Sequence, residues 1–376
     1  MNITAAIARR GQPFVLEPCT LSAPRAGEVL VRLEACGICH TDLAAKDHEL
    51  GTPMPAVLGH EGVGVIEAVG GEVLDFKPGD RVLMSFGSCG HCDRCQHGSP
   101  GYCRSAHLGF TGTRADGSSP ITHNGQHITG HFFAQSSFAT HAIASTVNMV
   151  PLPADLPAAL MAPLACGVQT GMASVFIALN TQSHDSLAVF GCGTVGLAAI
   201  MAAKIIGCRQ IVAFDLNEDR LALARELGAT HAIAALDPTA KQQLKQLDGV
   251  SRALDCTGVP DVIKLAFNAL KPQGVLACAG VSKPGSQLTL DLATLLYSGR
   301  SIRGTIEGDA VPRTFIPRMI QWYQQGLLPL EKLVTTFDFA DINHAVAAMQ
   351  AGTVIKPVLC MSPAPPATHQ YRTAIT

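Results

Sequence analysis

Four cysteines lie close together in one stretch of this 376-residue chain, SCGHCDRCQHGSPGYC. They are Cys89, Cys92, Cys95 and Cys103, so three thiols follow a C-x2-C-x2-C spacing and a fourth comes later in the same loop. Such a set can surround one tetrahedral metal ion at roughly 2.3 Å per sulfur, and it leaves no coordination position for water. The spacing therefore predicts a structural metal ion in a lobe that is otherwise mostly loop.

The identity of that ion stays open from the spacing alone. Four cysteines also hold iron–sulfur clusters, and free surface thiols are the simplest alternative. We favour zinc, because the hydride chemistry inferred below needs no electron-transfer cluster. Disulfides are disfavoured, since the total of thirteen cysteines is odd and the chain does not begin with an apolar export signal.

A second stretch, residues 186–215, has the pattern of a nucleotide-binding unit, SLAVFGCGTVGLAAIMAAKIIGCRQIVAFD. Gly191 permits a tight turn after the first apolar run, Gly193 lets the backbone approach a pyrophosphate, and Gly196 lets the following helix pack closely. Asp215 ends the second apolar run, nineteen residues after Gly196, where a carboxylate can accept ribose hydroxyls. A glycine-rich turn in another kind of α/β domain is the alternative, and the flanking elements and the acid argue against it.

Scattered motifs supply further candidate metal ligands: Cys39 in ACGICHTD, His60 and Glu61 in LGHEGVG, and Cys166 in PLACGVQTG. Each is weak alone, because a lone buried cysteine usually acts as a small core hydrophobe. Together with the four-cysteine lobe and the dinucleotide turn, they resemble the zinc-dependent medium-chain alcohol dehydrogenases over residues 37–356. The alcohol dehydrogenase shell of two cysteines and one histidine matches Cys39, His60 and Cys166.

The resemblance implies two zinc ions, one structural and one catalytic, and assigns roles around the catalytic one. Zinc lowers the pKa of a bound hydroxyl toward roughly 7, so the alcohol would bind as alkoxide and give its hydride to NAD. Thr41 matches the hydroxyl that receives the alcohol proton, and Thr170 matches the position against the nicotinamide. Asp42 matches the carboxylate that orients His60. Glu61 matches the acid beside the zinc; solvated turn charges are the alternative for both acids.

Two positions depart from the family pattern. Ala44 stands where the best-studied members carry a relay histidine, so the relay would end at Thr41 and the ribose or reach water elsewhere. His48 is a candidate that we do not favour, because a loop histidine is more often merely exposed. His40 stands where many relatives have an arginine on the pyrophosphate, and it would grip the phosphates less. Lys356 matches a second cationic position on the pyrophosphate.

Asp215 predicts a preference for NAD over NADP. Its carboxylate would repel a 2′-phosphate, whereas it would accept a hydrogen bond from a 2′-hydroxyl. Arg220 complicates this interpretation, because a nearby cation tolerates phosphate. We expect Arg220 on the 3′ side of the ribose, as in relatives with a basic residue five positions after the acid.

The substrate prediction rests on GTIEGDAVPR, residues 304–313, which resembles the aryl (benzyl) alcohol dehydrogenase branch. We expect reversible oxidation of primary alcohols with an aromatic ring or a double bond next to the carbinol carbon. Alignment draws the pocket wall from a largely apolar set that suits a flat substrate, with ordinary core packing as the alternative. The set is Ser85, Phe86, Phe132, Phe133, Val281 and Ile306.

Four alternative functions compete with this prediction. Glu307 would repel the anionic formaldehyde–glutathione adduct, but a glutathione-dependent formaldehyde dehydrogenase stays an alternative, as does a general aliphatic alcohol dehydrogenase. Metal-free quinone reductases and non-catalytic nucleotide-binding proteins share the fold. They would lack the metal ligands, all of which are present here.

The pattern of elements indicates how these residues are positioned. We expect an α/β protein: a β-rich GroES-like catalytic domain, residues 1–168 and 307–376, and an inserted doubly wound parallel-sheet (Rossmann) domain, residues 169–306. The active site would lie in the cleft, at the carboxyl ends of the Rossmann strands. The tail from Ser362 would be a loose surface segment. Strands are predicted at residues 4–8, 27–35, 64–69, 186–190, 210–214, 252–255 and 274–279, and helices at 195–206, 321–328 and 342–350.

Composition adds limits of its own. Charged residues are 15% of the chain and the net charge is −2, so neither sign dominates and nucleic acid or anionic lipid partners are not expected. No run of eighteen apolar residues occurs, and we expect a cytoplasmic protein that does not bind membranes. The resemblance implies a homodimer or homotetramer built by joining Rossmann sheet edges near residues 302–307.

Overall fold

The computed structural model describes residues 1–47 and 50–361. The candidate relay residue His48 and the tail from Ser362 therefore lie outside the described residues. The strands of the described part are, in chain order, β1 Asn2–Ala8, β2 Val15–Leu21, β3 Glu28–Gly37, β4 Ala56–Val57, β5 Gly62–Val69, β6 Arg81–Met84, β7 Ile121–His123, β8 Gln126–His127, β9 His141–Ser145, β10 Met149–Pro151, β11 Ser186–Phe190, β12 Gln210–Asp215, β13 His231–Ala234, β14 Val250–Asp255, β15 Leu270–Cys278, β16 Ser301–Gly304, β17 Val334–Asp338 and β18 Lys356–Cys360.

The helices connect and cover these strands. No single helix in the described part of the chain is long and apolar enough to cross a membrane, and one bent pair, residues 158–165 with 167–178, passes that test on length and composition alone. The helices are α1 His40–Lys46, α2 Asp93–Gln96, α3 His107–Thr111, α4 Ala158–Met161, α5 Gly167–Ala173, α6 Thr194–Ile206, α7 Glu218–Leu227, α8 Ala240–Gln246, α9 Pro260–Asn268, α10 Leu292–Ser298, α11 Pro312–Gln324 and α12 Ile342–Gln350.

Two sheets form the β-rich half of the molecule. One has the strand order β4-β1-β2-β7-β8, and the other has the order β10-β6-β5-β3-β18-β17, with β9 also paired to β3. The last strands thus return to the first part of the chain, and β18 pairs antiparallel with β3 so that Val358 lies opposite Gly37. Because β3 ends two residues before Cys39, this pairing brings Lys356 close to the first candidate metal ligand.

The third sheet is parallel and has the order β13-β12-β11-β14-β15-β16. Every residue of β11 is buried, as expected for a strand that helices cover on both faces. The chain reverses direction across the sheet at β11, between β12 and β14, and ligands of open α/β sheets bind at such a switch point. The α/β fold class predicted from the sequence, with GroES-like and Rossmann-like parts, is confirmed.

One predicted helix is wrong in its bounds. The expected helix at residues 321–328 is part of α11, which begins at Pro312 and ends at Gln324. Pro312 lies in the first turn, where its missing N–H costs nothing. Pro317 is tolerated inside the helix, because the burial of four neighbouring apolar side chains in the core offsets one lost hydrogen bond. Those side chains are Phe315, Ile316, Met319 and Ile320.

Candidate active site and metal centres

Three candidate metal ligands from distant parts of the chain meet in one largely buried cluster. Cys39 stands immediately before α1, His60 lies just before β5, and Cys166 stands immediately before α5. One ligand atom from each, together with a carboxylate oxygen of Glu61, lie within 4.8 Å of one another. We call these four residues the catalytic cluster. Two thiols, one imidazole and a nearby carboxylate are donors that suit zinc.

Asp42 fixes the orientation of the His60 ring. Its Oδ1 lies 2.9 Å from His60 Nδ1 and accepts a hydrogen bond from the Gly59 backbone N–H, while Oδ2 accepts from the Cys39 backbone N–H. The other ring nitrogen, His60 Nε2, is buried and has no hydrogen-bond partner among the described residues. A buried unpaired nitrogen costs about 1–3 kcal/mol. Its place beside two thiols therefore fits a metal ion.

The two thiols of the catalytic cluster titrate differently. The hydrogen bond with Cys166, helped by His60 and Lys356, holds the pKa of Cys39 well below its usual value in spite of burial. The same hydrogen bond and burial raise the pKa of Cys166. Cys39 is therefore the thiol that is most easily ionised, and the thiolate is the form that ligates a metal.

Glu61 is held by a buried ion pair that the sequence did not indicate. Lys356 Nζ donates to Glu61 Oε1 at 2.6 Å and to the Ile38 carbonyl oxygen at 3.0 Å. Burial raises the pKa of Glu61 to about 7, and Lys356 opposes that rise. Glu61 Oε2 is buried without a hydrogen-bond partner in the described residues. The pyrophosphate contact expected of Lys356 stays a prediction, since its ammonium group is engaged here with Glu61.

The first turn of α1 carries two further predicted site residues. Thr41 Oγ1 lies 3.6 Å from Cys39 Sγ, so its hydroxyl borders the catalytic cluster. His40 is exposed at the start of the same helix. Ala44 is half-buried one turn later and offers no proton-carrying group. The structure thus brings Thr41 to the cluster, and the phosphate contact of His40 stays a prediction.

The four-cysteine lobe is assembled with distances that suit one ion. The sulfur–sulfur distances are 3.6 Å between Cys92 and Cys95, 3.9 Å between Cys92 and Cys103, and 4.0 Å between Cys89 and Cys95. A tetrahedron of sulfurs at roughly 2.3 Å from zinc has edges of about 3.8 Å. Backbone N–H groups of Cys89 and Ser105 donate to Cys103 Sγ. The lobe therefore fits a structural zinc.

The dinucleotide turn has the geometry that the glycine spacing predicted. Gly191 follows β11 with φ of 95°, and α6 begins at Thr194. A Cβ on Gly196 would lie 1.9 Å from the Gly191 carbonyl oxygen, so a side chain there would separate the helix from the turn. A Cβ on Gly193 would meet no atom within 4 Å, so the backbone there faces open space. The turn therefore fits a pyrophosphate.

Asp215 and Arg220 lie on either side of the loop after β12. Asp215 Oδ2 accepts a hydrogen bond from the Cys192 backbone N–H at 2.5 Å, and Oδ1 accepts from the Asn217 backbone N–H at 2.8 Å. These contacts tie the carboxylate to the glycine turn. Arg220 Nε is buried without a hydrogen-bond partner in the part of the chain described. The ribose contacts of both residues stay predictions.

Glu307 is hydrogen-bonded to α5, the helix that begins next to Cys166. Its Oε2 accepts hydrogen bonds from Thr170 Oγ1 at 3.1 Å and from Gln169 Nε2 at 3.2 Å. Burial raises the pKa of Glu307, and nearby His60 opposes the rise. Gln169 escaped the sequence analysis, because one amide side chain in a buried helix carries no pattern. The nicotinamide contact of Thr170 stays a prediction.

Aromatic rings line one side of the catalytic cluster. The ring of Phe133 stacks on His60 with centroids 4.8 Å apart, and Phe132 meets the same imidazole edge-on at 5.8 Å. Phe110, which the sequence analysis missed, packs edge-on against Phe133 at 5.3 Å. Phe110 lies in the short helix α3, and a single ring among the small residues of LGFTG gives no sequence signal. Phe133 and Phe110, whose rings meet edge to face, form an aromatic wall beside the cluster.

The predicted pocket residues are not equivalent in the structure. Ser85 and Phe132 have no exposed surface, so they lie behind the wall rather than on it. The Ser85 hydroxyl donates to the Ala165 carbonyl oxygen at 2.6 Å, and Phe132 packs in the core beneath Phe133. Phe86 is also buried. The remaining two, Val281 and Ile306, are 61% and 48% exposed, respectively.

Two family models match the two parts of the chain that carry these sites. An alcohol dehydrogenase GroES-like domain matches residues 25–154. A zinc-binding dehydrogenase domain matches residues 194–325. The first match contains the four-cysteine lobe and two ligands of the catalytic cluster, and the second contains most of the parallel sheet.

Whole-chain relatives agree with these matches. A geraniol dehydrogenase from Castellaniella defragrans is 42% identical over 368 residues, which cover 96% of this chain and 98% of that protein. An S-(hydroxymethyl)glutathione dehydrogenase from Saccharomyces cerevisiae is 33% identical over 364 residues, 93% of each. The crystal structure of benzyl alcohol dehydrogenase from Acinetobacter calcoaceticus is similar with a TM-score of 0.92 at 39% identity, covering 96% of this chain and 99% of that one. With both cysteine clusters assembled in the same fold, the chain belongs to the zinc-dependent medium-chain alcohol dehydrogenase family and is an enzyme of that class.

Proposed function

We propose that this alcohol dehydrogenase oxidises aromatic or allylic primary alcohols reversibly to aldehydes, with NAD as the hydride acceptor. The observation that carries the proposal is the aromatic wall of Phe133 and Phe110 beside the catalytic cluster, in which Phe133 stacks on His60 and Phe110 meets Phe133 edge-on. Such a wall suits a planar conjugated substrate, because aromatic pairs gain about 0.5–1.5 kcal/mol beyond their buried area. Two relatives named for geraniol and for benzyl alcohol support the same substrate class.

The chain's own residues would divide the chemistry as follows. Zinc on Cys39, His60 and Cys166 would supply a Lewis acid that favours the ionised hydroxyl, and NAD would supply the acceptor. Asp42 holds His60 Nδ1 and so keeps Nε2 directed at the metal position. The Thr41 hydroxyl, next to Cys39, takes the alcohol proton. Removing that hydroxyl should therefore lower kcat more than it changes the KM for alcohol.

The test is a comparison of benzyl alcohol, geraniol and ethanol with NAD. A ring should raise kcat/KM over ethanol by several tens-fold, since each methylene-sized gain in apolar fit is worth about 1–3 kcal/mol. Phe133→Leu should lower the benzyl-to-ethanol ratio of kcat/KM, and the ratio itself controls for any loss of folded enzyme. Equal kcat/KM values for the two alcohols would contradict the proposal.

Formaldehyde oxidation, measured with and without glutathione, distinguishes this proposal from a glutathione-dependent formaldehyde dehydrogenase. The Glu307 carboxylate beside Thr170 would repel an anionic glutathione adduct. We therefore expect no requirement for glutathione in formaldehyde oxidation. A strict glutathione requirement would assign the enzyme to the activity for which its yeast relative is named.

The proposed cofactor preference rests on Asp215. Its carboxylate is fixed at the end of β12 beside the glycine turn, where a 2′-phosphate would meet a like charge. Asp215→Ser should narrow the ratio of kcat/KM for NAD over NADP. Asp219→Asn, on the exposed start of α7, is the matched control and should leave that ratio unchanged. Equal use of both cofactors by the wild type would count against the assignment.

We also propose that a second copy of this chain covers the β16 edge. β16 is the last strand of the parallel sheet and all four of its residues are exposed. Neighbouring α10 exposes Leu292, Leu296 and Tyr297. Exposed sheet edges beside apolar side chains pair readily with another chain. Light scattering should give a dimer or tetramer mass, Ile302→Glu should lower it, and a monomeric wild type would refute the interface.

A further inference from the structure

The turn that follows β16 holds an unusual backbone conformation. Glu307, Gly308 and Asp309 all have positive φ, at 53°, 67° and 62°. Residues other than glycine adopt this region at a cost of about 1–3 kcal/mol, and they keep it only where surrounding contacts impose it. The contacts around this turn therefore indicate what it is built to hold.

The inner side of the turn presses against α5 and the residues that follow it. Glu307 accepts the hydrogen bonds of Thr170 and Gln169 described above. Gly308 packs so closely that a Cβ there would lie 2.5 Å from the Ser174 backbone nitrogen and 2.5 Å from Ala173 Cβ. The inner side thus sets the place of the Glu307 carboxylate in the cleft.

The outer side of the turn is anchored to the four-cysteine lobe. Asp309 Oδ1 accepts a hydrogen bond from the Tyr102 hydroxyl at 2.9 Å and one from Thr305 Oγ1 at 3.0 Å. Asp309 Oδ2 pairs with Arg303 on β16. Tyr102 directly precedes Cys103, one of the four sulfur donors. One hydroxyl therefore links a predicted metal lobe to the turn.

The lobe also meets the turn through its backbone. A Cβ on Gly101 would lie 3.1 Å from the Ile306 carbonyl oxygen, and one on Gly98 would lie 3.9 Å from Val311 Cγ2. These contacts place the lobe against residues on both sides of the turn. With a metal ion held by its four cysteines, the lobe would be tied together by its own ligands and would act as a fixed support.

We propose that Tyr102 and Asp309 are positioning residues, through which the four-cysteine lobe fixes Glu307 beside Thr170 in the active-site cleft. This inference rests on the family's alcohol oxidation and not on a particular alcohol. Neither residue touches the catalytic cluster in any contact described above. They act through the turn, where a displacement of about 1 Å near the chemistry can cost up to roughly 100-fold in rate.

Tyr102→Phe tests the link by removing a single hydroxyl. We expect kcat/KM for the best alcohol to fall about tenfold, which corresponds to about 1.4 kcal/mol, with the metal content and thermal midpoint of the holoenzyme close to wild type. Tyr323→Phe, on α11 and outside this network, is the matched control and should leave kcat/KM unchanged. An unchanged kcat/KM in Tyr102→Phe would overturn the proposal.

A double-mutant cycle separates positioning from general stability. In a Glu307→Ala background there is no carboxylate to position, so adding Tyr102→Phe should have less than about a twofold effect. Asp309→Asn repeats the cycle from the other side of the hydrogen bond and should show the same coupling. The proposal would be overturned if the losses in kcat/KM of the single variants were additive in both cycles. It would also be overturned if the loss in kcat/KM occurred only together with loss of metal from the lobe. A family-typical alcohol activity that fails altogether in the wild type would instead refute the proposed function.

Discussion

The two cysteine clusters are built in opposite ways. The four-cysteine lobe takes every donor from residues 89–103, and three of its four cysteines are half-buried. The catalytic cluster takes Cys39, His60 and Cys166 from three separate segments, and it also contains the buried Glu61. The first set is all sulfur and closed by protein. The second offers two thiols and one imidazole beside a carboxylate. Three such protein donors would leave a fourth position for a ligand, which is how a catalytic zinc site differs from a structural one.

The contacts that support the metal ligands also differ between the two clusters. In the lobe, backbone N–H groups donate to the sulfurs, as from Cys92 to Cys89. Around the catalytic cluster, buried charged side chains do the supporting: Asp42 holds His60, and Lys356 holds Glu61. The backbone amides of the lobe belong to the same short loop as the sulfurs. The supporting side chains of the catalytic cluster come from distant parts of the chain and reach it only in the folded protein. The catalytic cluster should therefore be the more sensitive of the two to single substitutions.

Chelation of the holoenzyme has the largest expected effect. The open catalytic cluster should lose its zinc first and with it all activity, because the closed lobe offers a chelator no free position. Metal analysis and activity are followed over time, with the thermal midpoint as the readout for the lobe. The proposed difference between the two clusters would be contradicted if the lobe lost its ion first or if activity survived the first loss of zinc. A content of one zinc per chain at the start would contradict it as well.

Cys39→Ala should come next, with activity lower by at least roughly 10³-fold. Without this thiolate the catalytic cluster should no longer bind zinc. The loss of zinc removes several kcal/mol of transition-state stabilisation. The protein should stay folded and keep the lobe ion. Cys19→Ala, another buried cysteine in the β-rich half, is the control and should keep near-wild-type kcat. An active Cys39→Ala enzyme would show that the ligand set is misassigned.

Asp42→Asn should have an intermediate effect. Loss of the carboxylate behind a metal-binding histidine typically costs 10- to 100-fold in metal affinity or activity. Competition with a chelator measures the affinity of the catalytic cluster directly. The control is Asp47→Asn, at the exposed end of α1, the helix that contains Asp42. This substitution should change neither the metal affinity nor the activity. An affinity equal to wild type would mean that Asp42 does not orient His60.

Cys103→Ser should have the smallest effect on catalysis. It opens the lobe, so the lobe ion is lost and the thermal midpoint falls, while the catalytic cluster keeps its own zinc. We expect kcat/KM to fall by roughly tenfold, the cost of about 1.4 kcal/mol, because the support behind Asp309 is weakened. Complete inactivation with the catalytic zinc still bound would break the division between a structural and a catalytic site.

Local patterns were predicted well because they depend on neighbours in the chain. The glycine turn, the strand β11 and the helix α12 have the predicted places, since turn geometry and hydrophobic periodicity are short-range properties. The bounds of α11 were not predicted, because the burial of its apolar face outweighs the proline inside it. The substrate pocket stays a prediction: Phe132 is buried, and a ring carries the same sequence signal in a core as in a pocket wall.

The sequence by itself determined the donor types, the four-cysteine spacing, the dinucleotide turn and hence the α/β class of the enzyme. Only the tertiary structure decided which distant groups share a site. The return of β18 to β3 places Lys356 against Glu61, and the turn after β16 places Glu307 beside Thr170. The physical reason is the separation along the chain over which each kind of interaction acts. Spacing and periodicity act over a few residues, whereas a buried charge finds its partner only after strands far apart in the chain have paired.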